Sequence, residues 1–158
     1  MADTFSVTRS TTIDAPPDAV FEHLVDFHRW VEWSPWEGLD QNMERTYSGA
    51  DSGIGAVYSW SGTRKVGEGR MEITSSDPPA KLGIRLNFIK PFKAENDIVL
   101  SLETNGPATD VRWTMTGPKT LFSKIMGIFM SMDKMIGRDF EKGLAQLKAT
   151  VEKSPPQR

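Results

Sequence analysis

Cysteine is missing from the 158 residues, and with it go disulfides, thiolate nucleophiles, Fe–S clusters and cysteine-based zinc sites. Histidine is scarce. His23 and His28 are the only two, and a separation of five does not put two imidazoles on one helical face, so no metal site is expected. An excess of one charge is also lacking: 19 Lys and Arg against 21 Asp and Glu leave a net charge of −2, with no global attraction to nucleic acid or to an anionic membrane. No hydrophobic run approaches the ~18–20 residues of a membrane span, the longest lying around Ile125 to Met130. The N-terminus, Met1-Ala2-Asp3-Thr4-Phe5, has neither the basic nor the apolar region of a signal peptide. A cytoplasmic protein without stable membrane association is expected. No repeat recurs at a fixed period. There is no Walker loop or Ser-hydrolase elbow, and Gly53-Ile54-Gly55 and Gly67-Glu68-Gly69 lack the third glycine and following helix of a dinucleotide fingerprint. No cofactor is implied.

What is present is an average globular composition, 38% hydrophobic, in a chain long enough to bury roughly 70% of its extended surface around one core. A single domain over residues 1–153 is expected, with Ser154-Pro155-Pro156-Gln157-Arg158 as a disordered tail. Two residue types are unevenly spread. Four of the eight Met fall between Met126 and Met135, and three of the five Trp fall between Trp30 and Trp36.

From Phe5 to Ile13 the odd positions Phe5, Val7, Arg9, Thr11 and Ile13 alternate with Ser and Thr, which predicts a first strand. Asp14 is a candidate N-cap, with Pro16 and Pro17 near the first turn of a short helix carrying Val20, Phe21, Leu24 and Val25. Phe27 to Trp36 keeps an i, i+3, i+6 aromatic spacing until Pro35 interrupts it, and reads as irregular turns. Six short strands then follow, near Met43–Tyr47, Ala56–Trp60, Gly67–Ser75, Lys81–Ile89, Asn96–Glu103 and Asp110–Thr116, separated by Gly and Pro turns. Such short links favour antiparallel neighbours. A helical pattern runs from about Thr120 to Glu152, with Phe122, Ile125, Phe129, Met132, Ile136, Phe140, Leu144, Leu147 and Val151 at spacings of three or four. Unbroken, it would be roughly 50 Å long. Its available partner is the apolar face of the sheet, which predicts an α+β domain.

In this order, the Ile13-Asp14-Ala15-Pro16-Pro17-Asp18-Ala19-Val20-Phe21 junction, the Trp33-Ser34-Pro35-Trp36 turn, Gly53-Ile54-Gly55 before a strand, Gly67-Glu68-Gly69-Arg70-Met71-Glu72-Ile73, and the terminal Asp139-Phe140-Glu141-Lys142-Gly143-Leu144-Ala145-Gln146-Leu147-Lys148 resemble the Bet v 1/START-like (SRPBCC) superfamily, and more closely its polyketide cyclase/dehydrase branch. The resemblance covers nearly the whole chain. It implies a helix-grip fold: a curved antiparallel sheet of about seven strands wrapped around a long C-terminal helix, with short helices after the first strand and an elongated cavity between sheet and helix. It does not fix the chemistry, since such folds serve lipid carriers, hormone receptors, cyclases and chaperone cofactors.

Within that frame, strand parity and helical spacing nominate a ligand wall. Tyr58, Trp60, Met71, Leu86, Phe88, Leu100 and Trp113 come from the strands, and Met126, Phe129 and Met130 from the first half of the helix. The Met side chains adapt to differently shaped apolar partners; ordinary core packing or an oligomer face is the alternative. Gly67 and Gly69 share the parity of Met71, so they either leave volume beneath the helix or let the strand bend. Whether Tyr58 and Trp60 face inward depends on the register. The Trp cluster is either a gate at the pocket mouth or a plug at one end of the grip.

Candidate catalytic residues are His28, Arg9 and Asn96. Arg9 is in phase with the core side of its strand, so its guanidinium finds an internal partner, or the strand bulges, or the side chain snorkels out. Asn96 has the parity of Ile98 and Leu100 and is either a cavity-mouth amide or a strand-end residue. Arg85 and Arg112 share outward faces and read as solvated. Three functions follow: binding or transport of a hydrophobic small molecule, lipid or polyketide-like; a polyketide cyclase/dehydratase in the same cavity; or a protein-docking module. A monomer or homodimer with a hydrophobic ligand and no nucleic acid is expected.

Overall fold

The computed structural model describes residues 4–36, 42–63, 67–90, 93–118 and 132–153. Strand β1 (Thr4–Ile13) leads into helix α1 (Pro17–Val25) and a 3-10 helix (Phe27–Glu32), followed by β2 (Glu44–Gly49), β3 (Ala56–Ser61), β4 (Glu68–Asp77), β5 (Lys81–Lys90), β6 (Ala94–Asn105), β7 (Ala108–Pro118) and helix α2 (Met132–Lys153). Short turns make β2 to β7 an antiparallel meander. The first strand joins its far side, so the order across the sheet is β1-β7-β6-β5-β4-β3-β2. The α1 and 3-10 segment therefore carries the chain from one edge of the sheet to the other.

Two local expectations change. The cap of α1 is Pro16, without a side-chain cap bond, and Pro17 is pre-set for the first helical position; Asp14 lies outside the helix, where its backbone N–H donates to Glu152 Oε2 at 2.8 Å. The irregular aromatic turns are a 3-10 helix, whose three residues per turn place Phe27, Trp30 and the following Trp33 on one face, all three buried. On α2, Phe140, Leu144, Leu147 and Val151 form the buried stripe. The upstream part of the predicted long helix, residues 120–131, lies outside the described residues, as does the tail 154–158.

Because β1 is an edge strand, its outward carbonyls are open to strange pairing. Arg9 Nη1 donates to Thr8 O and Lys148 Nζ to Thr12 O, each at 2.8 Å, which blunts that edge. The outer face of the sheet is polar, with Arg85 held by Asp97 at 3.1 Å and Glu95 at 3.4 Å, as its outward parity implied.

Candidate functional site

The registers align side chains into rows across the concave face. One row runs Phe5, Gly117, Asn96, Leu86, Met71, Tyr58 and Tyr47 from β1 to β2. Trp60 and Phe88 stand beside it, their rings 6.0 Å apart. Tyr58 and Trp60 thus both face inward. These side chains are covered but not sealed: Phe5, Met71, Leu86 and Tyr58 keep 6–7% of their surface, and Trp60 and Phe88 are half-buried.

Asn96 sits in the middle of this row, 1% exposed, and neither Oδ1 nor Nδ2 has a hydrogen-bond partner. A buried amide left unpaired costs about 1–3 kcal/mol, so its retention calls for a reason. Gly117 makes the geometry possible, since a Cβ there would overlap Asn96 Oδ1 and crowd the Phe5 ring at 3.1 Å. The amide is thus a fully enclosed side chain, not a strand-end one.

The other end of the grip is closed. The row Arg9, Trp113, Leu100, Leu82 lies beneath α2, and Trp113, Leu100 and Leu82 have no exposed surface. Trp113 stacks on Phe140 at 4.2 Å, while Trp30, Trp33 and Trp36 stand edge-on to it at 5.7–6.3 Å. Trp30 Nε1 donates to Leu24 O and Trp33 Nε1 to His23 O. The Trp cluster is therefore a plug. Trp113 Nε1 also lacks a hydrogen-bond partner.

The polar candidates do not converge. Strand β1 pairs with β7 without a register shift, so no bulge turns Arg9 away. Its side chain snorkels instead: Nε donates to Glu141 Oε2 at 2.8 Å, and Gly137 leaves room for the guanidinium, which a Cβ would overlap. His28 is exposed, its Nδ1 2.8 Å from Asp26 Oδ1 and its ring stacked 4.1 Å from Tyr47. These two side chains border a cleft of about 110 Å³, lined also by Phe27, Ala56 and the Ser48–Asp51 turn. The Arg9 row lies two rows from that of Asn96, about 13 Å along the strand direction at ~3.3 Å per residue, and His28 lies at the opposite sheet edge. One reacting atom could not touch all three.

Of the nominated wall, Tyr58, Met71 and Leu86 lie in the Asn96 row and Trp60 and Phe88 beside it, only Leu86 being next to Asn96, whereas Leu100 and Trp113 are packed into the plugged end. Met126, Phe129 and Met130 lie outside the described residues. The space at Gly69 is not vacant: a Cβ there would lie 2.6 Å from the Trp60 ring, which fills it, and the register shifts at Glu68/Gly69. Gly67 is a turn residue with φ +65°, ahead of the strand. Phe5 and Tyr47 were missed because each gains meaning only from a partner distant in sequence.

A seven-stranded antiparallel sheet gripping a C-terminal helix places the chain in the helix-grip class. The family described as "Polyketide cyclase / dehydrase and lipid transport" matches residues 4–152, and the chain belongs to it. Solved structures share the fold at low identity. Protein CV1439 from Chromobacterium violaceum is 14% identical with a TM-score of 0.68, over 96% of this chain and 98% of that one. Ara h 8.0201 is 12% identical with a TM-score of 0.66, over 96% and 99%. The Aha1 dimer from Colwellia psychrerythraea is 16% identical with a TM-score of 0.58, over 94% of each chain. No curated protein matches the sequence. Among the described residues no helix is long and apolar enough to cross a membrane, and no acidic, His or Cys cluster could hold a metal ion.

Proposed function

We propose that the chain binds a hydrophobic small molecule, lipid or polyketide-like, between the concave face of the sheet and the C-terminal helix. Burial of apolar ligand surface supplies the affinity, and a few polar groups set orientation. The observation that carries this reading is Asn96, an unpaired amide enclosed by Phe5, Leu86 and Gly117 in an otherwise apolar face. A ligand carbonyl or hydroxyl offers the partner that the protein does not. The family description, which joins lipid transport to cyclase and dehydrase activity, is compatible with this role. The separation of Arg9, Asn96 and His28 gives the cyclase/dehydratase alternative no common acid–base centre among the described residues.

Native mass spectrometry of protein purified without denaturation tests the reading. The expected result is extra mass released by organic extraction, or uptake of an added apolar compound by the extracted protein. A bare chain that takes up none would overturn it.

A further inference from the structure

The Asn96 amide has a direction as well as a place. A Cβ at Gly117 would overlap Oδ1 and lie 2.9 Å from Cγ and 3.1 Å from the Phe5 ring, with Nδ2 no nearer than the last of these. The amide oxygen therefore rests on Gly117, where the glycine hydrogen that stands in for a side chain points at it. Such a Cα–H···O contact suits an oxygen, whereas an amide nitrogen there would set hydrogen against hydrogen. Nδ2 is turned away from Gly117. Its neighbours on the same face are Ala94 and Ile98 along β6 and Leu86 across from it, all buried and none with a polar side chain. The two halves of the amide thus stand differently: Oδ1 has a weak contact, and the N–H groups of Nδ2 have no acceptor.

Resting on the binding role above, we infer that the site selects a ligand whose enclosed polar group accepts hydrogen bonds and donates none: a ketone, aldehyde or ester carbonyl in an otherwise apolar molecule. Gly117 is the positioning residue behind that choice. A carbonyl oxygen offers lone pairs to the free N–H groups and brings no proton of its own. A hydroxyl also accepts, but its hydrogen is then enclosed without a partner, because Oδ1 is turned to Gly117, and a buried donor left unpaired offsets the bond gained. Selectivity for an acceptor is therefore set by a residue that has no side chain.

Equilibrium dialysis with fluorene, fluorenone and carbazole tests this, since the three share one rigid tricyclic shape and carry no polar group, an acceptor and a donor respectively. Asn96→Leu is expected to lower the fluorenone-to-fluorene affinity ratio about five- to tenfold, the worth of a hydrogen bond to an otherwise unpaired group. The carbazole-to-fluorene ratio should stay where it was. Gly117→Ala, whose methyl displaces Oδ1, is expected to lower the first ratio as well; a general loosening of the fold would weaken all three compounds and leave the ratio alone. A fluorenone ratio that survives Asn96→Leu would overturn the inference and leave the binding role standing. So would a carbazole ratio that falls as far as that of fluorenone. A ratio that falls in Asn96→Leu but survives in a folded Gly117→Ala protein would overturn the part assigned to Gly117. Uptake of none of the three would overturn the inference, and together with a bare chain in the native mass spectrum the binding role too.

Discussion

The two ends of the concave face are built from the same residue types and do opposite things. At one end Leu82, Leu100 and Trp113 are sealed by Phe140 and three indoles, two of which, Trp30 and Trp33, donate their ring N–H to backbone carbonyls of α1. At the other, Leu86, Met71 and Tyr58 keep residual surface around an unpaired amide. The closed end is a core; the loose end gives up stability that a perfectly packed core would contribute. Departures from ideal packing and pairing mark places where stability is not the only demand, and here they lie opposite the plug.

The sharpest test of this contrast changes the same residue at each end. Leu100→Ala is expected to cost about 4–5 kcal/mol and Leu86→Ala about 2 kcal/mol in denaturant unfolding, because a cavity beside already loose neighbours adds little to one that cannot collapse. Equal losses would erase the distinction. Asn96→Leu should act in the opposite sense, stabilising the extracted protein by about 1 kcal/mol while weakening ligand uptake. A loss of stability would show that the amide serves the fold instead. At the β1 edge, Glu141→Gln is expected to cost under ~1 kcal/mol, since the Arg9–Glu141 pair is largely solvated, with Glu141 61% exposed.

The smallest effect concerns acid. Hydrogen bonds from Lys148 and the Asp14 backbone hold Glu152 below the ordinary glutamate range, and those from Thr12 and Asn105 do the same for Asp110. A depressed folded pKa contributes stability that is present above the unfolded value and is lost as pH falls through the folded one. Glu152→Gln should therefore lower stability slightly at neutral pH, where the contribution is present, and flatten the acid limb, the two proteins becoming alike once pH has fallen through the folded value. An unchanged acid limb would discount the Asp14 and Lys148 contacts.

Strand faces and the helix stripe were legible because they are written in local periodicity: Ile98/Leu100/Leu102 and Phe140/Leu144/Leu147 declare their faces without knowledge of any neighbour, whereas the pairing of β1 with β7 is not local and was not legible. Asn96 was legible by the same parity. Its isolation was not, because an unpaired amide is defined by what surrounds it, and Gly117 and Phe5 lie far off in sequence. Trp30 and Trp33 could be placed on one face but not assigned to plug or gate until Trp113 and Phe140 were seen against them. Gly69 misled because an absent side chain reads as empty space, whereas Trp60, one strand away, had taken it. His28 was nominated for its chemistry alone, and the ring that stacks on it, Tyr47, belongs to a strand too short to show its period.

The clasp between first strand and last helix bears on how the grip opens. Arg9 to Glu141, Lys148 to Thr12 and Asp14 to Glu152 join residues 132 to 138 positions apart, whereas the meander from β2 to β7 closes through short hairpins. Long loops are closed late because their entropy is lost before the contact repays it. The expectation is that α2 detaches ahead of the sheet, transiently exposing the concave face. Amide exchange that is faster in α2 than in β5 and β6 is the signature; uniform protection would mean that helix and sheet open together.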